Sequence, residues 1–246
     1  MRTRAAPLLC ELHSHTTWSD GVLSTSALVD LYGQNGFDVL CVTDHVIRSD
    51  DPWLPGRSPG RRHVLPENHR AYLDEILREA ERARRLYDLL VIPGLELTDN
   101  TFDPLRSAHA LALGLHRFVD VDDGLEAALG EAREHGATIV GAHPYRDRPG
   151  PSPGRTTQRF AHEWRRFTHL VDRYELFNRT DLFSWVAEAG LPGVATGDFH
   201  RPEHLPGWKT LIPCAKDEAS VVSYLRSPLP VYLTQLSVSA PARLAA

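Results

Sequence analysis

Nine of the chain's 246 residues, six histidines and three carboxylates, recur in short fragments built to one plan. The first is His13-Ser14-His15-Thr16-Thr17-Trp18-Ser19-Asp20-Gly21, directly after the apolar run Pro7-Leu8-Leu9-Cys10. Side chains at i and i+2 of a strand point to the same face, so His13 and His15 can converge on one ion while Asp20 returns from the following turn. A single histidine is more often a hydrogen-bonded core or surface residue. That reading weakens as like fragments follow: Thr43-Asp44-His45, Gly94-Leu95-Glu96-Leu97-Thr98, Ala108-His109-Ala110-Leu111, Ala142-His143-Pro144 and Gly197-Asp198-Phe199-His200, each after a short apolar run. Imidazoles and carboxylates without thiolates suit Zn, Mn or Fe(II) and leave the choice among them open. Nine donors exceed the roughly four to six positions of one ion and suffice for two or three that also keep water positions. Three divalent ions would outweigh the charges of Asp20, Glu96 and Asp198, so such a pocket would attract a phosphate dianion.

The HxHxxxxD opening, the TDH, the Gly-x-Glu, the AHP and the closing GDxH resemble, in this order and across residues 13–200, the polymerase and histidinol phosphatase (PHP) superfamily of metal-dependent phosphoesterases. The resemblance implies a distorted barrel of seven β/α units with its metal site at the C-terminal ends of the strands. By resemblance to trinuclear members, His13, His15, Glu96 and Asp198 would surround one ion. Glu96 would bridge to a second held by His109 and His143, and a third would take Asp20, His45 and His200. Only the pairs His13/His15 and Asp198/His200 follow from strand geometry. Asp44 could orient a neighbouring ligand or cap a turn. Glu175 and Asn178 resemble the family's polar residues at the next strand end, where they would either line the pocket or pack it.

The elements that must position these residues alternate. Strand-like runs fall near 8–12, 39–43, 89–92, 108–113, 138–142, 174–177 and 194–196, and helical patterns near 24–34, 67–87, 124–135, 158–171, 181–188 and 217–226. This is an α/β pattern of seven strands, with every candidate ligand at a strand end or in the turn just after it. The clearest helix, 67–87, carries Tyr72, Ile76, Ala80 and Ala83 at helical spacing and reads as an outer barrel helix. Two Pro- and Gly-rich loops, 48–66 and 145–157, leave from His45 and His143 and are candidate lids or plain mobile loops. The expected organisation is one barrel domain over 1–236 and a flexible tail over 237–246.

Composition narrows the function classes. Charged residues at 24% and apolar ones at 42% describe a soluble globular domain. A net charge of −5 argues against a stable nucleic-acid complex. Cys10, Cys41 and Cys214 are too far apart in sequence for a CxxC zinc site, and as buried free thiols they suit a reducing cytoplasm. The opening apolar run is too short for a signal peptide, and no run is long enough to span a membrane. Oligomeric state is not legible.

The chemistry expected is hydrolysis of a phosphate ester of a small or nucleotide-like substrate by a metal-bound hydroxide, with Glu96 and Asp198 ordering the ions and Arg146 and Arg201 as candidate phosphate clamps. For either arginine, a surface role is at least as good a reading; Arg57, Arg61, Arg62 and Lys209 are weaker candidates. His63, His69, His116, His135, His162, His169 and His204 lack a motif partner, with His63 and His204 the exceptions closest to motif loops. There is no GxxxxGK phosphate loop and no GxSxG nucleophile elbow. The alternatives are an amidohydrolase-like reaction on a similar metal barrel, or a non-catalytic metal-binding module. Members that act on nucleotide bisphosphates or RNA 5′ ends carry an inserted subdomain that the short 109–143 interval lacks, and the SDG after the HxH pair departs from the histidinol phosphatase branch.

Overall fold

The computed structural model of the chain describes residues 6–52, 54, 63–146 and 157–237. The inner parts of both candidate lid loops and nearly all of the expected tail lie outside the described residues.

The elements run β1 (Leu8–Glu11), α1 (Thr25–Gln34), β2 (Val39–Val42), β3 (His45–Ile47), α2 (His69–Tyr87), β4 (Leu90–Asp99), β5 (Ala108–Leu113), α3 (Leu125–Glu134), β6 (Thr138–Ala142), α4 (Arg159–Glu163), β7 (Arg173–Asn178), β8 (Asp181–Leu182), α5 (Ser184–Glu188), β9 (Gly193–Thr196), β10 (Gly207–Ile212), α6 (Glu218–Arg226) and β11 (Tyr232–Leu236). One mixed sheet takes the order β11-β10-β1-β2-β4-β5-β6-β7-β8, with β3 beside β4 and β9 beside β7. The sheet curls on itself. Past the end of β9, Phe199 forms a parallel bridge with Ser14, past the end of β1.

The seven expected strands are present as β1, β2, β4, β5, β6, β7 and β9, but the expected β/α alternation breaks at β5. This strand runs antiparallel to both β4 and β6. The link from Asp99 to Ala108 holds only a 3₁₀ turn (Pro104–Arg106), whereas a parallel return needs a crossover of about a dozen residues. Reversal puts the start of β5, where His109 sits, at the rim to which the neighbouring strands bring their ends. β3, β8, β10 and β11 are additional to the expectation. The helix expected over 158–171 stops at Glu163 and tightens into a 3₁₀ turn, Trp164–Phe167. The chain must then reverse, because Asp172 bonds Ile139 through both backbone and carboxylate at the start of β7 (3.0 and 2.8 Å). The helix expected from 181 starts at Ser184, since Asp181 and Leu182 pair with β7 instead.

Strand periodicity sorts the core into two faces. Val39 and Cys41 of β2, Ile92 of β4, and Leu111 and Leu113 of β5 pack on one side with Val221 and Leu225 of α6. Their alternates, among them Leu40, Val42, Ala110 and Ala112, pack on the other against Leu28, Tyr72, Ile76 and Leu129 of α1, α2 and α3. Helix α6, started by the Asp217 cap on Ser220 N (2.8 Å), meets β6 at its beginning, where Thr138 Oγ1 donates to Val222 O (2.7 Å). It therefore closes the end of the curled sheet away from His143. By the same parity, Glu96 shares the face of Ile92 and His109 that of Leu111. The three cysteines are free thiols, Cys10 and Cys41 buried and Cys214 partly so. No described helix is long and apolar enough to cross a membrane.

Candidate metal centre

All nine expected donors converge at one rim. His13 and His15 follow β1, His45 opens β3, Glu96 lies in β4, His109 begins β5, His143 follows β6, and Asp198 and His200 follow β9. Asp20 is carried back by a tight turn in which Ser19 N and Gly21 N donate to Thr16 O (3.1 and 3.0 Å). Gly21 is required there, because a Cβ would run into the backbone of His15.

Three groups of donors form. His13 Nε2 and His15 Nε2 are 3.0 Å apart, each 3.4 Å from Glu96 Oε2, and 3.5 and 3.4 Å from Asp198 Oδ1. The other carboxylate oxygen, Glu96 Oε1, lies 3.1 Å from both His109 Nδ1 and His143 Nε2. Asp20 Oδ1 lies 3.1 Å from His200 Nε2 and 3.5 Å from His45 Nε2. Donors about 2.0–2.2 Å from a shared ion stand roughly 3–3.5 Å from one another. Glu96 thus faces two groups at once. His15, 3.9 Å from Asp20 through Nδ1, stands between the first group and the third.

Each ring is held by an acceptor that fixes its tautomer. His13 Nδ1 lies 2.8 Å from Glu175 Oε1, His109 Nε2 2.9 Å from Asn100 Oδ1, and His200 Nδ1 3.0 Å from the Asp198 carbonyl. The other three face hydroxyls, at 3.3 Å (His15 and Ser19), 2.8 Å (His45 and Thr98) and 3.0 Å (His143 and Thr157). Those hydroxyls already give their own hydrogens away, Ser19 to Asp44, Thr98 to the Glu96 carbonyl and Thr157 to the His143 carbonyl, so they must accept from the rings. In all six histidines the remaining nitrogen then turns a lone pair toward the carboxylates, the arrangement of imidazoles that ligate metal.

Lone pairs facing lone pairs demand a cation. Glu96 Oε2 and Asp20 Oδ1 are buried with no hydrogen-bond partner; His45 Nδ1, 2.9 Å from Glu96 Oε2, makes none to it. An anionic oxygen left so would cost several kcal/mol. Burial by itself would raise the Glu96 and Asp198 carboxyls, but positive charge on the surrounding imidazoles, with protons standing where an ion would, outweighs it and holds both well below the usual range, so both are anionic. Burial opposes protonation of His13 as well, yet Glu96, Asp198 and Glu175 raise it. Burial, then His200 and His45, pushes His15 down to about 3. The donor set fits divalent metal ions.

The supporting residues were less visible in the sequence. Glu175 is fully buried, and its second oxygen accepts from His143 N (2.6 Å) and Asn178 Nδ2 (2.8 Å). Asp44 orients the His15 turn rather than His45, accepting from Thr16 N (2.8 Å), Thr16 Oγ1 (2.8 Å) and Ser19 Oγ (2.5 Å). Asn100 is itself held by Asp51 Oδ2 (2.9 Å). Four described non-glycine residues have positive φ, and three belong to this region: His143 (26°), Arg179 (53°) and Asp198 (41°). Such strain persists where surroundings over-determine it, typically at functional sites.

A cavity of about 320 Å³ opens beside the cluster, lined by His143, Tyr145, Asn178, Arg179, Thr180, Asp181 and Asp198. Arg179, not singled out from the sequence, donates through Nη2 to Asp198 Oδ2 (2.7 Å) and through Nε to Gly197 O (3.2 Å). The two arginines that were singled out are not among the lining residues. Arg146 is exposed, 3.5 Å from Glu188 and over the Trp185 ring, and Arg201 is exposed with its Nε directed at His204 (3.1 Å). Lys209 is buried with Glu11, and Arg57, Arg61 and Arg62 lie outside the described residues. His204 accepts the His200 N–H at Nδ1 (3.2 Å) and so supports a ligand loop.

No family model matches the chain, and no curated protein matches it. Among solved structures, it is similar to a two-domain protein from Bacteroides vulgatus ATCC 8482 containing a predicted PHP-like metal-dependent phosphoesterase. The identity is 19% over 92% of this chain and 67% of that one, with a TM-score of 0.61. It is also similar to PsfC from Pseudomonas syringae PB-5123, at 13% identity over 94% of this chain and 92% of that one, with a TM-score of 0.57. The likeness is one of fold: the chain shares the fold of these structures, the first of which contains the kind of domain that the order of its motifs resembles.

Proposed function

We propose that the chain is a metal-dependent phosphoesterase hydrolysing a phosphomonoester of a small or nucleotide-like substrate. The observation that carries this reading is the two-faced Glu96 carboxylate, one oxygen within 3.4 Å of His13 and His15 and the other within 3.1 Å of His109 and His143. Divalent ions in such a site supply positive charge to a phosphoryl group and make water a nucleophile near neutral pH. The chain's own part is to hold nine donors in place, the six imidazoles in fixed tautomers, and to present a cationic guanidinium beside them. Arg179 would meet the phosphoryl oxygens, since it lines the cavity next to Asp198. At the same wall, Tyr145 OH donates to Asp181 Oδ2 (3.0 Å), and the carboxylate would take a hydroxyl or amino group of the departing alcohol.

The volume supports a small ligand, being at the low end of the roughly 300–1,000 Å³ typical of ligand pockets. The test is a panel of phosphomonoesters, phosphodiesters, amides and carboxylic esters offered to metal-replete protein. Phosphate release from monoesters is expected. Cleavage confined to amides would establish the amidohydrolase alternative, and no turnover on any class would leave a non-catalytic module.

A further inference from the structure

Below the donors lies a buried charge pair that the proposed chemistry does not use. Glu11, the last residue of β1, and Lys209, in the middle of β10, are both fully buried with Nζ 2.7 Å from Oε2. Glu11 accepts five hydrogen bonds. Oε1 takes the backbone N–H of Leu12 (3.1 Å), His13 (3.2 Å) and Gly197 (2.7 Å), while Oε2 takes Lys209 Nζ and Tyr32 OH (3.1 Å). Gly197 can come this close only because it has no side chain: a Cβ would run into the Glu11 carboxylate and lie 2.6 Å from Lys209 Nζ.

A buried ion pair by itself says little about stability, because desolvation offsets most of its attraction and apolar residues of like size often replace it without loss. An apolar pair could not, however, bind amides from two different loops. One of those loops carries His13 and His15, and the other carries Asp198 and His200. Between them run only a few further bonds, His15 N to Phe199 O (2.8 Å), Phe199 N to His13 O (3.1 Å) and Val22 N to His200 O (2.8 Å).

We infer that Glu11, paired with Lys209, is a positioning residue for the metal centre: it sets the spacing between the two ligand loops and thereby the affinity of the ion held by His13, His15 and Asp198. The inference rests on the cluster binding divalent ions, not on the reaction they support. The group of Glu96 Oε1, His109 and His143 draws no donor from either loop and serves as an internal control.

The test uses the full chain stripped with chelator and titrated with Co²⁺, following heat and absorbance, with circular dichroism and Tm on the same preparations. Glu11→Gln alone would leave Lys209 charged and unpaired in the core, so the informative variant is the double change Glu11→Met with Lys209→Met, which removes both charges at similar volume. It is expected to fold, and to bind one of its ions about 10–100-fold more weakly, the loss usual for groups that hold a ligand in place, while another binding step persists at parental affinity. Parental affinity at every step in the folded double variant would overturn the inference. Should that protein not fold, Glu11→Asp decides: the pair keeps its charges, but the shorter arm cannot reach all three amides. Weakened binding at one step in this folded variant supports the positioning role, and unchanged binding at every step refutes it. A parent chain that binds no Co²⁺ would instead refute the metal-centre reading itself.

Discussion

Glu96→Gln removes the carboxylate that faces two donor groups, one with each oxygen. The side chain is fully buried, with Oε2 3.4 Å from both His13 and His15 and Oε1 3.1 Å from both His109 and His143. Gln keeps the size, loses the charge, and puts an N–H₂ where a second lone-pair donor stood. Groups that merely orient a ligand cost about 10–100-fold in metal affinity or activity when changed, so a direct bridge should cost at least about 100-fold, or ~2.7 kcal/mol. Weaker binding also reduces metal-linked stabilisation by about that amount, which for a chain of this size is roughly 5–11 °C of the rise in Tm on adding metal. Turnover on p-nitrophenyl phosphate, bound metal and Tm with and without metal should be measured on one preparation. If Glu96 only fills its buried place in β4, stability alone will fall. Turnover within a few-fold of the parent at full metal occupancy would refute the bridging role.

His13→Ala and Asp198→Ala should each lower phosphatase turnover by several orders of magnitude, whereas His162→Ala, exposed on α4, should change it little; equal effects in three folded proteins would contradict the ligand map. Asn100→Leu frees the His109 ring from the acceptor that fixes its tautomer (2.9 Å), so affinity for one ion should drop about 10–100-fold, and unchanged calorimetric titrations would refute that role. Arg179→Gln should raise KM for phosphomonoesters by roughly ten-fold or more, the scale of one charge-assisted contact, while Arg146→Ala and Arg201→Ala stay within a few-fold; the reverse ranking would return the phosphate contact to the arginines first suggested by sequence.

Much of this centre was legible in the sequence because metal ligation restricts residue type: few side chains can do it, and they must sit at rim positions spaced by strands. His13, His15, Asp20, His45, Glu96, His109, His143, Asp198 and His200 meet those demands and converge. Orientation uses commoner side chains. Ser19, Thr98, Asn100 and Thr157 carry hydroxyls and an amide that occur in any turn, so no type or spacing marked them. Lys209 shows the same difficulty for the fold. It interrupts the strand Gly207–Ile212 with a charge that reads as solvent-facing, and only its partner Glu11, 198 residues away in sequence, makes its burial tolerable. β11, partly exposed along its length, shows no clean alternation. β5 was found as a strand but not as a reversed one, since direction follows from the length of the preceding link rather than from the strand's own residues.

The most direct test of the account is phosphate release from p-nitrophenyl phosphate by chelator-stripped protein as Mn²⁺, Zn²⁺ or Fe²⁺ is returned, with bound metal counted on the same samples. Turnover should be negligible at the start, rise as ions bind, and level off at two or three ions per chain. Binding to that level with no phosphate released from any monoester, or full turnover in protein holding only trace metal, would contradict it.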